Sequence, residues 1–357
     1  MRAAAAEALA HTGGPEVRPT VRKLLGDTDL TVRLRVALAL APRDAQAIPV
    51  LIGLIAELQG DQAWQVHDFL TALAGEKAPP APEDNAEARK KSSAAWAVWW
   101  KSSAAKADLT KLANPQQQFL GFTVICEHNT GRIVELGRDR KARWSFAGTQ
   151  TPVDVWVVPN NRVLVAEYSP QRVSERDLKG TIVWQRQVNG QPHNVQRLPN
   201  GHTFIATNVQ LLEVDRTGKD VFTLNVGQLN VGGFSGGYRA KNGHIICMGQ
   251  NGQCVRLDAK GKQLTSFNTN RGNAWMDLLA NGNILIATNG SNNIAEYDAN
   301  GKLILDINFP QVSMATGLPN GNVLAASHST GRVVELDRRG RVIWEYKTQG
   351  PFRARGR

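Results

Sequence analysis

Seven histidines, 31 carboxylates and three cysteines are the side chains available for acid–base, metal or nucleophilic chemistry, and most sit in recurring contexts. His128 and His328 are each followed by x-Thr-Gly-Arg, which marks them as members of a repeated turn before it marks them as catalysts. His193 opens the run His193-Asn-Val-Gln-Arg-Leu-Pro-Asn-Gly201 and could act as an acid or base. A nucleophilic site, however, also needs a nucleophile beside the base and a third group to orient it, and no such constellation is recognisable. Glu167, Asn208, Asp277 and Asn289 offer the oxygen ligands that a hard cation takes, without a motif that gathers them. Phosphate-binding loops, Cys-x-x-Cys and His-Glu-x-x-His are absent. The Gly-rich stretch 227–237 joins strand-like runs and opens no helix, so it is a poor phosphate cradle. Cys126, Cys247 and Cys254 lie in apolar runs, where free cysteine acts as a small hydrophobe.

What would position these residues is a unit of about forty residues. Asn-Gly or Asn-Asn turns stand at Asn160, Asn200, Asn242, Asn281 and Asn320, spaced by 40, 42, 39 and 39 residues. Asn-Gly between apolar runs predicts a two-residue type I′ hairpin. A second turn, Asp-x-x-Gly, recurs at Asp177, Asp215, Asp258, Asp298 and Asp337. Each unit therefore reads as four strands, the pattern of a propeller blade. Residues 123–136 align with 322–336, giving a sixth unit that lacks its inner strand. The tail Gln349-Gly-Pro-Phe-Arg-Ala-Arg355 matches the start of an inner strand and is expected to complete it, closing the ring.

Aligned inner strands give two rings of equivalent positions. The first holds Asp154, Asn194, Gly236, Trp275, Met314 and Arg353; the second holds Trp156, Gln196, Tyr238, Asp277, Thr316 and Arg355. Residues between them (Val155, Val195, Gly237, Met276, Ala315, Ala354) are small or apolar, so the period of two puts the divergent side chains on the other sheet face. A core position would repeat from blade to blade; this divergence marks Asp154, Trp156, Asn194, Gln196, Tyr238, Trp275, Asp277, Thr316, Arg353 and Arg355 as the candidate ligand-binding channel mouth. Blade-to-blade polar packing is the structural alternative.

Upstream the composition changes. Residues 1–114 carry 14 Lys+Arg against 13 Asp+Glu, so nearly all of the chain's net +11 lies after them. Val17, Val21 and Leu24, then Val32, Leu34, Val36 and Leu38, follow helical spacing around the turn Gly26-Asp-Thr-Asp29, and a second helix pair spans 48–58 and 63–74. Arg2–Ala10 reads as the second helix of a repeat whose first is absent, which leaves a solenoid end incomplete. The Pro-rich segment 75–85 is a linker, and helix returns over 86–112 with Trp96, Trp99 and Trp100 on one face. That face is either an aromatic platform for a ligand or, as expected here, a docking face between the domains.

The Asp27-x-Asp29-x-x-Val32-Arg33 turn resembles HEAT repeats. The whole chain is similar to the HEAT-repeat plus β-propeller proteins that occur as many paralogues in planctomycete bacteria, through Ala-Trp-Ala-Val-Trp-Trp-Lys101, Arg172-Val-Ser-Glu-Arg-Asp177 and Glu213-Val-Asp-Arg-Thr-Gly-Lys219. The His193–Gly201 run also resembles repeats of arylsulfotransferase-like and quinoprotein-like propellers. These likenesses imply a fold and no particular activity; many relatives start with an export signal, and a periplasmic location follows if one precedes this chain.

The fold class read from the sequence is thus α plus all-β: HEAT-like repeats over 1–76, a linker and Trp-rich helix over 77–114, and a six-bladed propeller over 115–357. No apolar stretch reaches membrane length. No Lys/Arg run exceeds three residues, which disfavours a nucleic-acid partner. The expected function is a non-enzymatic binding or scaffold protein for a protein or polar organic ligand, without cofactor or metal. The competing expectation is a propeller enzyme, sulfotransferase-like or a metal-dependent lactonase or esterase, working at the channel mouth.

Overall fold

The computed structural model describes residues 5, 7–10, 16–80, 82, 85–113, 120–158, 161–272, 274–288 and 292–357. The chain divides into two compact units, with the described α-helices before Leu120 and the described β-strands after Gly121. Parts of Arg2–Ala10, of the Pro-rich linker and of the first Asn turn, Pro159–Asn160, lie outside the described residues.

In the helical unit, α1 (Arg18–Lys23) and α2 (Leu30–Leu40) form the first hairpin, and α3 (Ala47–Glu57) and α4 (Gly60–Ala74) the second. Asp29 caps α2 by accepting the Thr31 N–H at 2.8 Å, satisfying one of the orphan donors at a helix start. Leu51, Leu54, Ile55 and Leu70 are fully buried, and Arg33 pairs with Glu57 at 2.6 Å. The fifth helix, α5 (Ala86–Ser103), ends earlier than its sequence pattern indicates and continues as two 3₁₀ turns, Ala104–Lys106 and Leu109–Ala113. It packs on α3, where Ser93 Oγ donates to the Ile52 carbonyl at 2.8 Å. Trp96 is wholly buried with its ring edge-on to His67 of α4 (5.6 Å, 78°) and to Trp99 (5.4 Å, 83°), while Trp99 and Trp100 are half-buried. Trp96 is therefore core of the helical unit and no part of an exposed platform.

The second unit is six four-stranded antiparallel sheets. Blades one to five span 152–187, 192–225, 234–268, 275–308 and 314–347 in unbroken order, whereas blade six combines strands within 123–146 with the last strand, Pro351–Gly356. That last strand pairs antiparallel with Thr123–Glu127, setting Arg353 opposite Cys126, so both ends of the domain share one sheet and close the ring. Apolar residues fill the space between successive blades: Ala206, Leu211, Ile245 and Cys247 between two and three, for example, and Leu285, Ala315, Val323 and Val334 between four and five. Burial pushes the thiols of Cys126 and Cys254 up to about 12, and that of Cys247 up as well, so all three are inert core groups.

The Asn-Gly turns differ from the two-residue I′ hairpin expected of them. Gly201, Gly243, Gly282 and Gly321 have φ of 84 to 86°, but the preceding Asn is not left-handed, and the Gly201 N–H bonds back to the Leu198 carbonyl at 2.9 Å. These are type I turns followed by a left-handed residue, a form that a proline before the Asn (Pro199, Pro319) favours because its fixed φ suits the second turn position. Asn161 takes the left-handed position in blade one, at φ 51°.

Candidate functional site

The two rings lie in register around the axis. First-ring residues pair with Ala166, Ala206, Met248, Ala287, Ala326 and Cys126, and second-ring residues with Leu164, Phe204, Ile246, Leu285, Leu324 and Val124, the same rungs in all six blades. In blades one, two, three and six the register slips just before the first ring, so Val153, His193, Ser235 and Phe352 are bulge residues. A bulge re-aims its side chain, and here it brings His193 and Phe352 to the end of the channel where the inner strands begin.

Ring side chains bond across every blade junction. The Val195 N–H donates to Asp154 Oδ2 at 3.1 Å, from blade two to blade one. Asn194 grips Gly237 of blade three twice, its Nδ2 donating to the carbonyl (2.6 Å) and its Oδ1 accepting the N–H (2.9 Å), and Gln196 does the same to Arg239 at 3.1 and 3.0 Å. Gly236 leaves room for this: a Cβ there would sit 3.1 Å from Asn194 Oδ1 and 3.0 Å from Met276 Cγ. The Tyr238 hydroxyl reaches the Met276 carbonyl (3.5 Å), the Gly317 N–H donates to Asp277 Oδ2 (3.3 Å), and the Thr316 hydroxyl donates to the Ala354 carbonyl (2.5 Å). The sixth junction is ionic: Arg353 Nη1 and Arg355 Nε both lie 2.9 Å from Asp154 Oδ1.

These arginines knit the centre of the channel. Arg355 also donates to Asp277 Oδ1 (2.9 Å) and to the Tyr238 hydroxyl (2.8 Å) and lies 4.2 Å over the Trp156 ring, and Arg353 reaches the same hydroxyl at 3.0 Å. Burial alone would raise the Asp154 carboxyl, but the Arg353 and Arg355 guanidiniums overcome it and hold Asp154 below the usual carboxylate range. Burial likewise opposes the charge on Arg355, and Asp154, Tyr238 and Asp277 more than compensate, raising it well above its ordinary value. Burial pushes the Tyr238 phenol up to about 12 against the pull of the two arginines. The cluster sets two arginines against two carboxylates around the Tyr238 phenol, and leaves the buried Arg353 Nε and Trp156 Nε1 without a hydrogen-bond partner.

Outside this lock, a row of rings crosses the channel end. Tyr168 stacks on His193 (6.1 Å, 5°), His193 meets Trp275 (4.7 Å), and Trp275 stands edge-on to Phe352 (4.9 Å, 83°). Phe352 meets His128 (5.3 Å), and His128 meets His328 (5.6 Å, 79°). The rings come from blades one, two, four, six and five, and all except His193 are half-buried. Burial pushes His193 down to about 4, so it is neutral, and its buried Nδ1 has no hydrogen-bond partner. Burial also lowers His128, opposed by the Pro152 carbonyl and reinforced by His328. Tyr168, Phe352 and the meeting of His128 with His328 escape sequence reasoning. The two histidines are legible as equivalent, but their contact requires adjacent blades to be set side by side.

The proposed oxygen ligands are committed elsewhere. Glu167 is fully buried and accepts from Arg172 (2.8 Å), Arg176 (3.1 Å), Ser174 (2.7 Å) and the Gln150 N–H (2.9 Å); Asn208 Oδ1 accepts the Gln191 N–H (2.8 Å). Asn289 lies outside the described residues. Among the described residues no cluster of three His, Cys, Asp or Glu is spaced to hold a metal.

With this geometry in view, the likenesses to known proteins can be placed. Residues 1–64 match the family profile of HEAT repeats, and residues 208–356 match the profile described as outer membrane protein assembly factor BamB. The C-terminal region is a six-bladed β-propeller preceded by HEAT-like repeats. A protein of unknown function from Bacteroides caccae is similar in fold, with a TM-score of 0.55 and 14% identity over 65% of this chain and 97% of that one. The WD40 β-propeller domain of Doa1 aligns with a TM-score of 0.48 and 15% identity over 59% of this chain and 73% of that one. Virginiamycin B lyase from Staphylococcus aureus, in complex with quinupristin, aligns at 0.45 and 14% over 55% and 69%. No curated protein matches the chain. No described helix is long and apolar enough to cross a membrane.

Proposed function

We propose that the chain is a non-enzymatic binding protein of the planctomycete-type HEAT-propeller family, and that its propeller takes a protein segment or polar organic ligand on the channel end bearing Tyr168, Trp275, Phe352, His128 and His328. The observation that carries this reading is the division of labour along the inner strands. Most polar groups deep in the channel are taken up by junction bonds, Arg353 Nε and Trp156 Nε1 excepted, whereas the rings at its end are half-open and supply apolar area with polar edges, the composition of a recognition surface. The likeness of residues 208–356 to an assembly factor supports binding rather than turnover. Selecting a displayed peptide library against the protein, with counter-selection on Trp275→Ala, tests the reading: peptides that bind the protein and not the variant are expected, and a selection yielding only binders indifferent to Trp275 refutes it.

One observation favours the enzyme alternative. His193 is neutral and keeps an unpartnered nitrogen at the channel end, as a general base would. Sulfate transfer from an aryl sulfate to a phenol, or lactone opening with added calcium or manganese, at a rate abolished by His193→Ala would establish that alternative. No turnover above background is expected.

A further inference from the structure

The opposite end of the propeller, where strands three and four of each blade turn, has a repeated chemistry that neither the junction bonds nor the channel end uses. In all six blades the outer strand opens with a bulge, at Arg143, Val183, Val221, Leu264, Ile304 and Ile343. A bulge on an edge strand normally blunts it against pairing, and natural edges place charge there. Blade six obeys, with Arg143 folded back onto Glu135 and the Phe122 ring. The other five instead carry an aliphatic residue that is between 42 and 54% exposed, and Ile182, Leu303 and Val342 beside them are exposed too.

Immediately before each bulge comes a turn that is net positive in blades two, three, five and six and balanced, one Lys to one Asp, in blades one and four. The six turns (137–141, 177–181, 215–219, 258–262, 298–302, 337–341) contain twelve Lys or Arg against six Asp. Lys141, Lys179, Arg216, Lys219, Lys260, Lys262, Lys302, Arg338, Arg339 and Arg341 are exposed, two of them within ion pairs, Arg338 with Glu296 (2.9 Å) and Arg341 with Asp337 (2.7 Å). Asp258, Asp298 and Asp337 each bond the backbone of their own turn, accepting the N–H groups two and four residues on at 2.8 to 2.9 Å, and Asp337 also accepts from Arg341 Nε at 2.7 Å.

We propose that this rim docks on an anionic lipid bilayer. Equivalent residues repeated about one closed axis lie in one plane, so the tips form a ring of net charge +6, positive in four of the six blades, backed by aliphatic side chains in five. Cations facing headgroups with Val, Leu and Ile entering the boundary beneath are the two components of peripheral membrane binding. Repetition decides between partner classes: a folded protein has one unique surface and would single out one or two blades, whereas a fluid bilayer has no register and accepts all of them equally. Nucleic acid would call for aromatic faces among the cations, and the exposed residues at these bulges are aliphatic.

The test is flotation of the full chain with phosphatidylcholine vesicles containing or lacking phosphatidylserine, at low and high salt. Binding is expected only with phosphatidylserine, and Lys219→Gln, Lys262→Gln, Lys302→Gln and Arg341→Gln together should weaken it, at about fivefold per neutralised residue. Val183→Ser, Leu264→Ser, Ile304→Ser and Ile343→Ser should keep the low-salt binding and lose the salt-resistant part. All eight residues are exposed, so melting curves should be unchanged; if a combined variant melts early, the single Ile343→Ser and Lys262→Gln variants carry the comparison. Absence of flotation with phosphatidylserine, flotation indifferent to both sets, or displacement by polyuridylate that the aliphatic variant retains would each overturn the proposal, the last by assigning the rim to nucleic acid.

Discussion

Replacing Asp154 by alanine removes the anion that faces both channel arginines and one end of the bond between blades one and two. Arg353 and Arg355 are 1% and 7% exposed and would keep their charge with Asp277 as the remaining anion. Removing one partner of a buried ion pair costs about 3–5 kcal/mol, most of it the penalty of an uncompensated buried charge. At roughly 2–4 °C per kcal/mol for a domain of this size, the melting temperature of the propeller should fall by about 6–20 °C. Asp154→Asn keeps an acceptor for the Val195 N–H and should fall between. The triple variant Asp154→Leu, Arg353→Met, Arg355→Met removes charge of both signs and should recover part of the loss, because a buried ion pair replaced by apolar side chains is often near neutral. Acid should reproduce the effect: the folded pKa of Asp154 is depressed below its unfolded value of about 3.9, so its contribution is present above that pH and fades as pH falls through the folded value. Calorimetry of the variants against pH reads all of this. An Asp154→Ala protein melting within a degree or so of the parent would refute the claim that the channel cluster locks the ring.

Deleting 349–357 removes the closing strand with Phe352, Arg353 and Arg355 and exposes the edge Thr123–Glu127; sedimentation should show association and calorimetry a lower melting temperature. Trp96→Ala should destabilise the helical unit by about 3–5 kcal/mol, and Trp99→Ala by less, in denaturant titrations read at the helical signal. His193 has a folded pKa of about 4, below its unfolded value of about 6.5, so stability should decline as pH drops from about 6.5 toward 4, and His193→Phe should flatten that decline.

The repeat made the architecture legible. Turn spacing, the aligned rings and the match of Gln349–Arg355 to an inner strand specify blade number, register and closure, because a strand slipped by one residue would put every side chain on the wrong face. What the residues do within that register was harder to read. Asn194 looks like a channel ligand until the missing side chain at Gly236 shows why it can reach across to Gly237. Arg353 and Arg355 look like ligand-orienting cations until Asp154, 201 residues before Arg355, and Asp277, 78 residues before it, converge on the cluster. Such pairings depend on which blades neighbour each other and on how far each side chain reaches, and a one-dimensional pattern carries neither. The bulges that re-aim His193 and Phe352 and that expose Val221 or Ile343 are likewise backbone events without a residue signature.

The central claim is that binding happens on the ring-lined end of the channel, outside the polar lock. Isothermal titration of a peptide from the library selection into the protein and into Trp275→Ala, Phe352→Ala and Lys262→Gln tests it directly. The account predicts at least a tenfold loss of affinity, about 1.4 kcal/mol, for each of the first two variants, with melting still cooperative and no change for the third. Equal affinity for all four proteins would contradict it.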